Sequence, residues 1–158
     1  KQLKQMNKKF KVGISWKSFK NRYADEKSLK LTDIEYLFEN NHIDFINLQY
    51  GNVEKEIENF NTKINNKIIE IKNLDIFNDF LNLSAVLKNL DLFITVSNST
   101  AHLAGALGVK TLLIKPVNHA VFHYWDQPSN KTPWYETITL YNRDDFLKEK
   151  KNILSVLE

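Results

Sequence analysis

A run of hydroxyl and amide side chains joins an apolar stretch to a helical pattern near the middle of the chain. Residues 93–96 read FITV, residues 97–100 read SNST, and the helical pattern AHLAGAL begins at Ala101. The N-terminus of a helix presents unpaired backbone N–H groups and a partial positive charge, and together these bind phosphate. Ser99 and Thr100 add hydroxyl donors at the same place. The segment therefore predicts an anion site with a phosphate as its natural ligand.

The same segment also has a purely structural explanation. Ser97, Asn98 or Ser99 can each cap a helix without binding any ligand, because their side chains accept a hydrogen bond from the first turn. His102, at the start of the helical pattern, can donate to a phosphate or sugar oxygen, or it can be a packed histidine. The residue types alone leave both interpretations open.

Two further features could serve a phosphorylated ligand. Lys17 follows an apolar stretch at residues 11–16 and would be a counter-charge for a diphosphate, or an ordinary surface lysine. The segment 119–135 carries seven aromatic or histidine side chains and is broken by Pro128 and Pro133. Aromatic faces stack on bases and on the apolar faces of sugars. Packing in the core is the commoner role of such residues.

Several other chemistries find no support in the sequence. The dinucleotide fingerprint G-x-G-x-x-G, the phosphate loop G-x-x-x-x-G-K-[ST] and the nucleophile elbow G-x-S-x-G are all absent. The chain has no Cys, which excludes a disulfide scaffold and a thiolate zinc site. No H-E-x-x-H motif accompanies His102, His119 and His123. We therefore predict no metal and no cofactor.

The composition is that of an ordinary globular domain. The chain has 158 residues, of which 42% are hydrophobic and 26% charged, enough for one domain with a hydrophobic core. No apolar run approaches the roughly 18 residues that cross a bilayer, and no signal-peptide pattern opens the chain. Because the first residue is Lys1 rather than Met, we expect a piece of a longer protein.

The net charge of +3 hides an uneven distribution of charge along the chain. Residues 1–30 carry ten basic and two acidic side chains, whereas the other 128 residues carry 12 basic and 17 acidic ones. A basic end suggests an anionic partner such as nucleic acid, a membrane surface or a phosphorylated ligand, or it is a solvated terminus. Because 20 of the 22 basic residues are Lys, an AT-rich genome could also account for this richness.

Short apolar stretches alternate with helical patterns along the chain. Strands are predicted at residues 11–16, 44–49, 67–71, 91–96, 110–114 and 137–141, and helices at 32–40, 53–65, 77–89, 99–107 and 144–157. Thr32 and Glu35 fit a capping box for the first helix. Strand–helix alternation implies right-handed crossovers. The prediction is an α/β, Rossmann-like, doubly wound and mostly parallel sheet of about six strands.

Small residues recur on the helix predicted at 99–107. Ala101 and Gly105 lie four residues apart, as do Ala104 and Gly108, so two small stripes would let this helix approach the sheet closely. Gly108 also stands where the glycine that ends a helix is expected. In an open parallel sheet, ligands bind outside the carboxyl ends of the strands. The start of this helix would then face that edge.

The motif SNSTAHLAGALG at residues 97–108 resembles the nucleotide-sugar motif of GT-B glycosyltransferases of the heptosyltransferase type. It is most similar to that of the bacterial tetratricopeptide-linked enzymes related to O-GlcNAc transferases, approximately D-T-x-x-A-H-L-A-G-A-L-G. Further elements of that family match in order at KVGISWK (11–17), KSLKL (27–31), FINLQ (45–49), residues 79–91, YW (124–125) and TPWY (132–135). The resemblance covers about residues 11–145.

The resemblance implies the C-terminal half of a GT-B fold, the half that binds a nucleotide-diphosphate sugar. Residues 1–10 would be a lead-in or interdomain connection and residues 11–158 the binding domain, with the N-terminal acceptor domain lying outside this chain. Carried over by position, the nucleotide-sugar site would comprise Lys17, Gln49, Ser97, Asn98, Ser99, Thr100, Ala101 and His102. Lys17 would neutralise the diphosphate, residues 99–102 would hold it, and Gln49 would lie beside the nucleoside. Trp16 and Trp125 would face the sugar or the acceptor.

As an enzyme, such a protein would be an inverting glycosyltransferase that stabilises the departing diphosphate electrostatically. Its general base would come largely from the N-terminal half, and its acceptor would be a glycan, a lipid-linked molecule or a protein. No metal and no nucleic acid would take part, and the protein would be cytoplasmic, with at most a peripheral attachment to the inner membrane.

Two departures from the family pattern keep an alternative open. Ser97 and Asn98 stand where many members carry Asp-Thr, and Asn82 and Leu83 stand where Asp and Thr are usual. The alternative is a non-catalytic nucleotide-binding or interaction module with the same fold. Binding of nucleic acid by the basic N-terminus ranks last, because no recognition motif accompanies the charge.

Overall fold

Seven strands form one sheet in the computed structural model, which describes residues 10–19, 24–116 and 121–157. The strands are β1 (Phe10–Ser15), β2 (Ile43–Asn47), β3 (Ile68–Ile69), β4 (Leu92–Val96), β5 (Thr111–Lys115), β6 (Lys131–Thr132) and β7 (Tyr135–Asn142). Their order is β3-β2-β1-β4-β5-β7-β6, and only the β6–β7 pair is antiparallel. The strand order reverses between β1 and β4. The prediction of a Rossmann-like, mostly parallel α/β domain is confirmed.

The helices cover both faces of this sheet. They are α1 (Ala24–Lys27), a 3₁₀ helix (Leu31–Glu39), α2 (Glu54–Asn61), α3 (Phe80–Leu87), α4 (Ser99–Ala106), α5 (Arg143–Lys148) and α6 (Lys150–Ser155). One core cluster joins the sheet to the 3₁₀ helix, α2 and the C-terminal helices through residues such as Val12, Ile57 and Phe146. A second cluster joins the opposite face to α3 and α4 through residues such as Leu83, Phe93 and Ala104.

Several predicted element boundaries are wrong for local reasons. The helix expected at 32–40 is a 3₁₀ helix, and its start is fixed by Lys30 N donating to Asp33 Oδ2 at 2.9 Å rather than by a Thr32–Glu35 box. The helix expected at 144–157 is divided at Glu149, whose backbone is non-helical (φ −88°, ψ 40°). Residues 1–9 of the expected lead-in lie outside the described residues, and Phe10 already belongs to β1.

The strand expected at 67–71 is reduced to two residues. The Asn61 side chain is hydrogen-bonded to both main-chain polar groups of Ile68. Ile68 N donates to Asn61 Oδ1 at 2.8 Å, and Asn61 Nδ2 donates to Ile68 O at 3.1 Å. Two elements were not predicted at all, the short helix α1 and the edge strand β6. Both are short enough that a periodic pattern cannot develop in the sequence.

Small residues bring α4 close to the sheet at one of the two predicted stripes. A Cβ added at Gly105 would lie 2.5 Å from Tyr135 Cγ and 2.9 Å from Ile138 Cδ1 on β7, so only a glycine permits this approach. Gly108 has no atom within 4 Å of the corresponding position, so the expected contact at this end of the second stripe is absent. Gly108 instead ends the helix with a left-handed backbone (φ +68°), as predicted.

Candidate functional site

The candidate site lies where the strand order reverses, at the carboxyl ends of β1 and β4. In open α/β sheets, such a reversal leaves a crevice in which ligands bind. The two strand ends are linked directly, because Asn98 Nδ2 donates to Ser15 Oγ at 2.9 Å. The same amide also donates to Thr95 Oγ1 at 3.2 Å. Sequence reasoning predicted which strand ends would carry polar residues, and the topology places two of them side by side.

The start of α4 is capped by Asn98. Its Oδ1 accepts the Ala101 N–H at 3.0 Å, and its backbone is extended (φ −151°, ψ 178°). The structural explanation of the SNST segment is therefore correct for Asn98. Ser99 is exposed at the first helical position, whereas Thr100 and Ala101 are buried. One cap satisfies only one of the N–H groups that a helix leaves without an intrahelical partner at its start.

The two tryptophans assigned to the sugar or acceptor side are both buried. Trp16 is 1% exposed and its Nε1 donates to Glu56 Oε1 at 3.2 Å. Trp125 is 0% exposed and its Nε1 donates to Ser97 Oγ at 3.0 Å. Neither indole face is open to a sugar in this structure. Trp125 instead anchors the aromatic segment that follows β5 to the end of β4, with the Ser97 hydroxyl as its acceptor.

Lys17 extends from the end of β1 but does not have a free ammonium. Its Nζ pairs with Glu56 Oε2 of α2, on the half-buried rim of the sheet. Glu56 was not singled out in the sequence. A diphosphate would have to compete with this carboxylate for Lys17.

Gln49 connects the ends of β1 and β2 and uses its whole amide within the protein. Its Oε1 accepts from Ser15 Oγ at 3.1 Å, from Trp16 N at 2.8 Å and from Lys17 N at 2.6 Å. Its Nε2 donates to Tyr50 O at 2.8 Å and to Lys17 O at 3.3 Å. Gln49 therefore shapes the loop that carries Lys17. Because its amide is already hydrogen-bonded, a nucleoside could contact only the backbone of Gln49 and the residues beside it.

His102 lies among aromatic rings on the other side of the site. Its Nδ1 is 3.1 Å from Tyr135 Oη, and its ring centroid lies 4.6 Å from that of Trp125 and 5.0 Å from that of Tyr124. Burial, and then the nearby His123, lower the pKa of His102 below its ordinary value. A neutral imidazole with Nδ1 engaged leaves Nε2 for a ligand. Tyr135 was noted in the aromatic segment, but its bond to His102 was not predicted. The aromatic segment also included His119, which lies outside the described residues.

A cleft of about 220 Å³ opens beyond β2 and β3, next to the loop after Gln49. Tyr50, Glu70, Asp75 and Phe77 are among the residues that line it. Phe77 is largely exposed, and its ring centroid lies 6.2 Å from that of Tyr50. Asn47 and Gln49, from the FINLQ motif, also line this cleft. Its walls at residues 70–77 belong to no motif, so their part in it was not predicted. Its polar and aromatic lining suits a flat polar group such as a base.

The described ranges lack two other kinds of feature. Within residues 10–19, 24–116 and 121–157, no group of three or more His, Asp or Glu side chains is arranged to hold a metal ion. None of the helices described in these ranges is long and apolar enough to cross a membrane.

The mostly parallel sheet and its strand reversal place this chain in the Rossmann-like class of α/β domains. A solved structure assigned as a UDP-N-acetylglucosamine 2-epimerase from Listeria monocytogenes has the same fold. It superimposes with a TM-score of 0.57 at 14% sequence identity, over 97% of this chain and 38% of that one.

A curated relative is Protein FlbA of Caulobacter vibrioides, which is 26% identical over 147 residues. The match covers 92% of this chain but only 24% of that protein, so the chain spans about a quarter of its relative's length. No family model matches the chain. The comparisons support the GT-B-like fold, and the finer resemblance to heptosyltransferase-like and tetratricopeptide-linked glycosyltransferases stays a prediction.

Proposed function

We propose that this chain is the donor-binding domain of an inverting glycosyltransferase that uses a nucleotide-diphosphate sugar. The observation that carries the proposal is the junction of β1 and β4, where Asn98 ties the start of α4 to the end of β1. The start of α4, the loop that carries Lys17 and the cleft beside Gln49 all follow the carboxyl ends of strands in the same sheet.

The ligand would lie across this edge in a defined direction. The diphosphate would sit at the N-terminus of α4, where Ser99 is exposed and unpaired N–H groups favour an anion. The base would occupy the cleft beside Tyr50 and Phe77, on the side of β2 and β3. The sugar would then point towards the segment after β5. This arrangement uses the order of the strands rather than any single motif.

The chemistry of this half would be electrostatic. As the bond between the sugar and the diphosphate breaks, negative charge grows on the leaving phosphate oxygen. Preorganised N–H donors at the α4 start, together with the Lys17 ammonium, would stabilise that charge. The proposal assigns no general base to this chain, since the acceptor hydroxyl would be deprotonated by a group from the acceptor domain.

One observation favours a second candidate, a nucleotide-binding or interaction module without transfer. Lys17 is neutralised by Glu56 in this structure, so the positive charge expected at the diphosphate is already used. The two candidates differ in turnover of the donor by the longer protein, because a module binds the donor without consuming it.

Calorimetric titration of the chain with UDP, GDP and ADP tests the proposal. At least one nucleotide should bind the wild type, and Ser99→Ala and Lys17→Ala should each weaken that binding. Lys110→Ala is the matched control, since Lys110 is exposed at the opposite edge of the sheet, just before β5. A wild type that binds none of the three, or affinities that all four proteins share, would contradict the proposal.

A further inference from the structure

Three aromatic rings form an exposed cluster beside the candidate site. Phe122, Tyr124 and Trp134 make up this exposed aromatic cluster, with Tyr124 in the middle, 5.2 Å by ring centroids from each of the other two. Phe122 is 39% exposed and Trp134 is 57% exposed. The rings of Phe122 and Tyr124 are nearly parallel, at 25°, and that of Trp134 is tilted by 56° to Tyr124.

Packing of the fold does not account for this exposure. Trp125, in the same segment, is fully buried and its N–H is satisfied by Ser97, which anchors the segment to the sheet. Thr132 Oγ1 donates to Tyr124 O at 3.1 Å and accepts from Trp134 N at 3.3 Å, which fixes the two backbones beside each other. The rings of Phe122 and Trp134 thus stand at the surface of an anchored segment. Exposed aromatic surface held in this way is typical of binding sites.

The cluster is continuous with the start of α4. The ring centroid of His102 lies 5.0 Å from that of Tyr124 and 6.0 Å from that of Phe122. His102 is in the first turn of α4, next to the place proposed for the diphosphate. A group attached to the outer phosphate would therefore meet this cluster, on the opposite side of α4 from the cleft at β2 and β3.

We infer that the exposed aromatic cluster is the subsite for the sugar of the donor, with Trp134 or Phe122 stacking on the apolar face of a pyranose ring. This inference rests on the proposed function and deepens it. A pyranose offers one face of C–H groups, which suits an aromatic ring, while its hydroxyls stay in water at an open site. The ring of His123 lies against the cluster, with its centroid 4.4 Å from that of Phe122 and 4.3 Å from that of Tyr124, and its N–H can donate to a sugar hydroxyl. The three rings of the cluster are themselves uncharged, which fits a sugar better than a second phosphate.

Paired affinities separate this subsite from the diphosphate site. Each of UDP and UDP-N-acetylglucosamine, GDP and GDP-mannose, and ADP and ADP-glucose is titrated into the wild type, Trp134→Ala, Phe122→Ala and Trp134→Phe. For the nucleotide that binds, the alanine variants should weaken binding of the sugar conjugate by about two- to tenfold. Binding of the free nucleoside diphosphate should not change. Trp134→Phe should retain most of the affinity, because it keeps an aromatic face.

Phe80→Ala is the control, since Phe80 is 58% exposed but lies on α3, outside the cluster. Equal loss of the free nucleotide and its sugar conjugate in Trp134→Ala and Phe122→Ala would overturn the subsite while leaving the proposed function standing. Failure of the wild type to bind any nucleotide would overturn both.

Tryptophan fluorescence gives a second readout. Of the three tryptophans, Trp16 and Trp125 are buried and Trp134 is exposed, so Trp134 is the one that solvent reaches. The sugar conjugate should alter the emission of Trp134, whereas the free nucleoside diphosphate should not. In Trp134→Phe this difference should disappear. The same spectral change with both ligands, or its persistence in Trp134→Phe, would overturn the inference.

Discussion

The ammonium of Lys17 is paired with the carboxylate of Glu56, which also accepts the indole N–H of Trp16 at 3.2 Å. Lys17 and Trp16 follow β1, and Glu56 lies in the first turn of α2, so one carboxylate holds two consecutive side chains at the rim of the sheet. Under the proposed function, Glu56 occupies the position beside Lys17 that a diphosphate would take. The relationship makes Glu56 a competitor for any anion that binds there.

Replacing Glu56 by Gln should therefore strengthen diphosphate binding. Both side chains are about a third exposed, so the pair contributes little, and its removal should tighten binding by about two- to fivefold. Calorimetry with the nucleotide that binds the wild type measures the effect. Glu58→Gln, an exposed change on the same helix, controls for net charge. Weaker binding by Glu56→Gln than by the control would show that Glu56 positions Lys17 rather than competing for it.

Asn98 and Ser99 are neighbours with separable roles. Asn98→Ala should destabilise the fold by about 1–3 kcal/mol, because it removes the α4 cap and the links to Ser15 and Thr95. Ser99→Ala, at an exposed position, should change stability by no more than about 0.5 kcal/mol. Urea denaturation measures both. Equal losses of stability in the two variants would contradict the assignment of Asn98 as the cap.

His102 should make the stability of the domain depend on pH. Burial, and then His123, lower the pKa of His102 below 6.5, so between the lowered pKa and 6.5 the unfolded chain binds more protons than the folded one. The folding stability that depends on a neutral His102 is therefore fully present above pH 6.5 and declines as the pH falls below that value. Urea midpoints on either side of pH 6.5 should show the decline in the wild type and a smaller one in His102→Gln. His42→Gln, a change at an exposed histidine, is the control. If the urea midpoint falls with pH by the same amount in His102→Gln as in His42→Gln, this assignment is contradicted.

Gly105 and Gly108 should respond differently to alanine. At Gly105 the added methyl would meet Tyr135 and Ile138 at under 3 Å, so Gly105→Ala should cost about 1–3 kcal/mol by overpacking. It should also disturb the bond between Tyr135 and His102. In Gly108→Ala the added methyl group would contact no other atom, but the alanine would have to adopt a left-handed backbone conformation. This should lower the stability by about 1 kcal/mol. Thermal unfolding measures the loss of stability in both variants. Fluorescence of the aromatic segment should change in Gly105→Ala, where packing is disturbed, but not in Gly108→Ala, where only the backbone is strained. A Gly105→Ala protein as stable as the wild type would show that α4 does not depend on this close approach.

The fold could be predicted because each strand and helix carries its own local signal. The stretch at Leu92–Val96 is apolar on both faces, and Gly108 marks the end of α4 by its residue type. The start of α4 was predicted only to within Ser97, Asn98 and Ser99, and the structure identifies Asn98 as the cap. The partner of the short β3 could not be predicted, because both main-chain polar groups of Ile68 bond to the side chain of Asn61, at the end of the preceding helix. Local patterns determine the elements, whereas contacts between distant residues leave no local pattern.

The candidate site was predictable only in outline, for the same reason. The resemblance grouped Lys17, Gln49 and residues 97–102 in one site, and hydrogen bonds from Ser15 to Gln49 and from Asn98 to Ser15 join the ends of β1, β2 and β4. The partners of the individual side chains could not be predicted. The Gln49 amide is hydrogen-bonded within the protein, and Lys17 is paired with Glu56, which lies 39 residues away in the chain. Tyr135 reaches His102 across 33 residues. The sequence around a residue does not indicate a contact partner that lies so far away in the chain.

The central claim is that a nucleoside diphosphate binds at the N-terminus of α4, and the backbone amides there report on it directly. Heteronuclear NMR of the ¹⁵N-labelled chain during titration with UDP, GDP and ADP follows the N–H signals of Ser99, Thr100 and Ala101. We expect one nucleotide to shift these signals most, together with that of Lys17, and to leave the signal of Lys110 at the opposite edge unchanged. Saturating shifts confined to other parts of the sheet, or none with any of the three nucleotides, would contradict it.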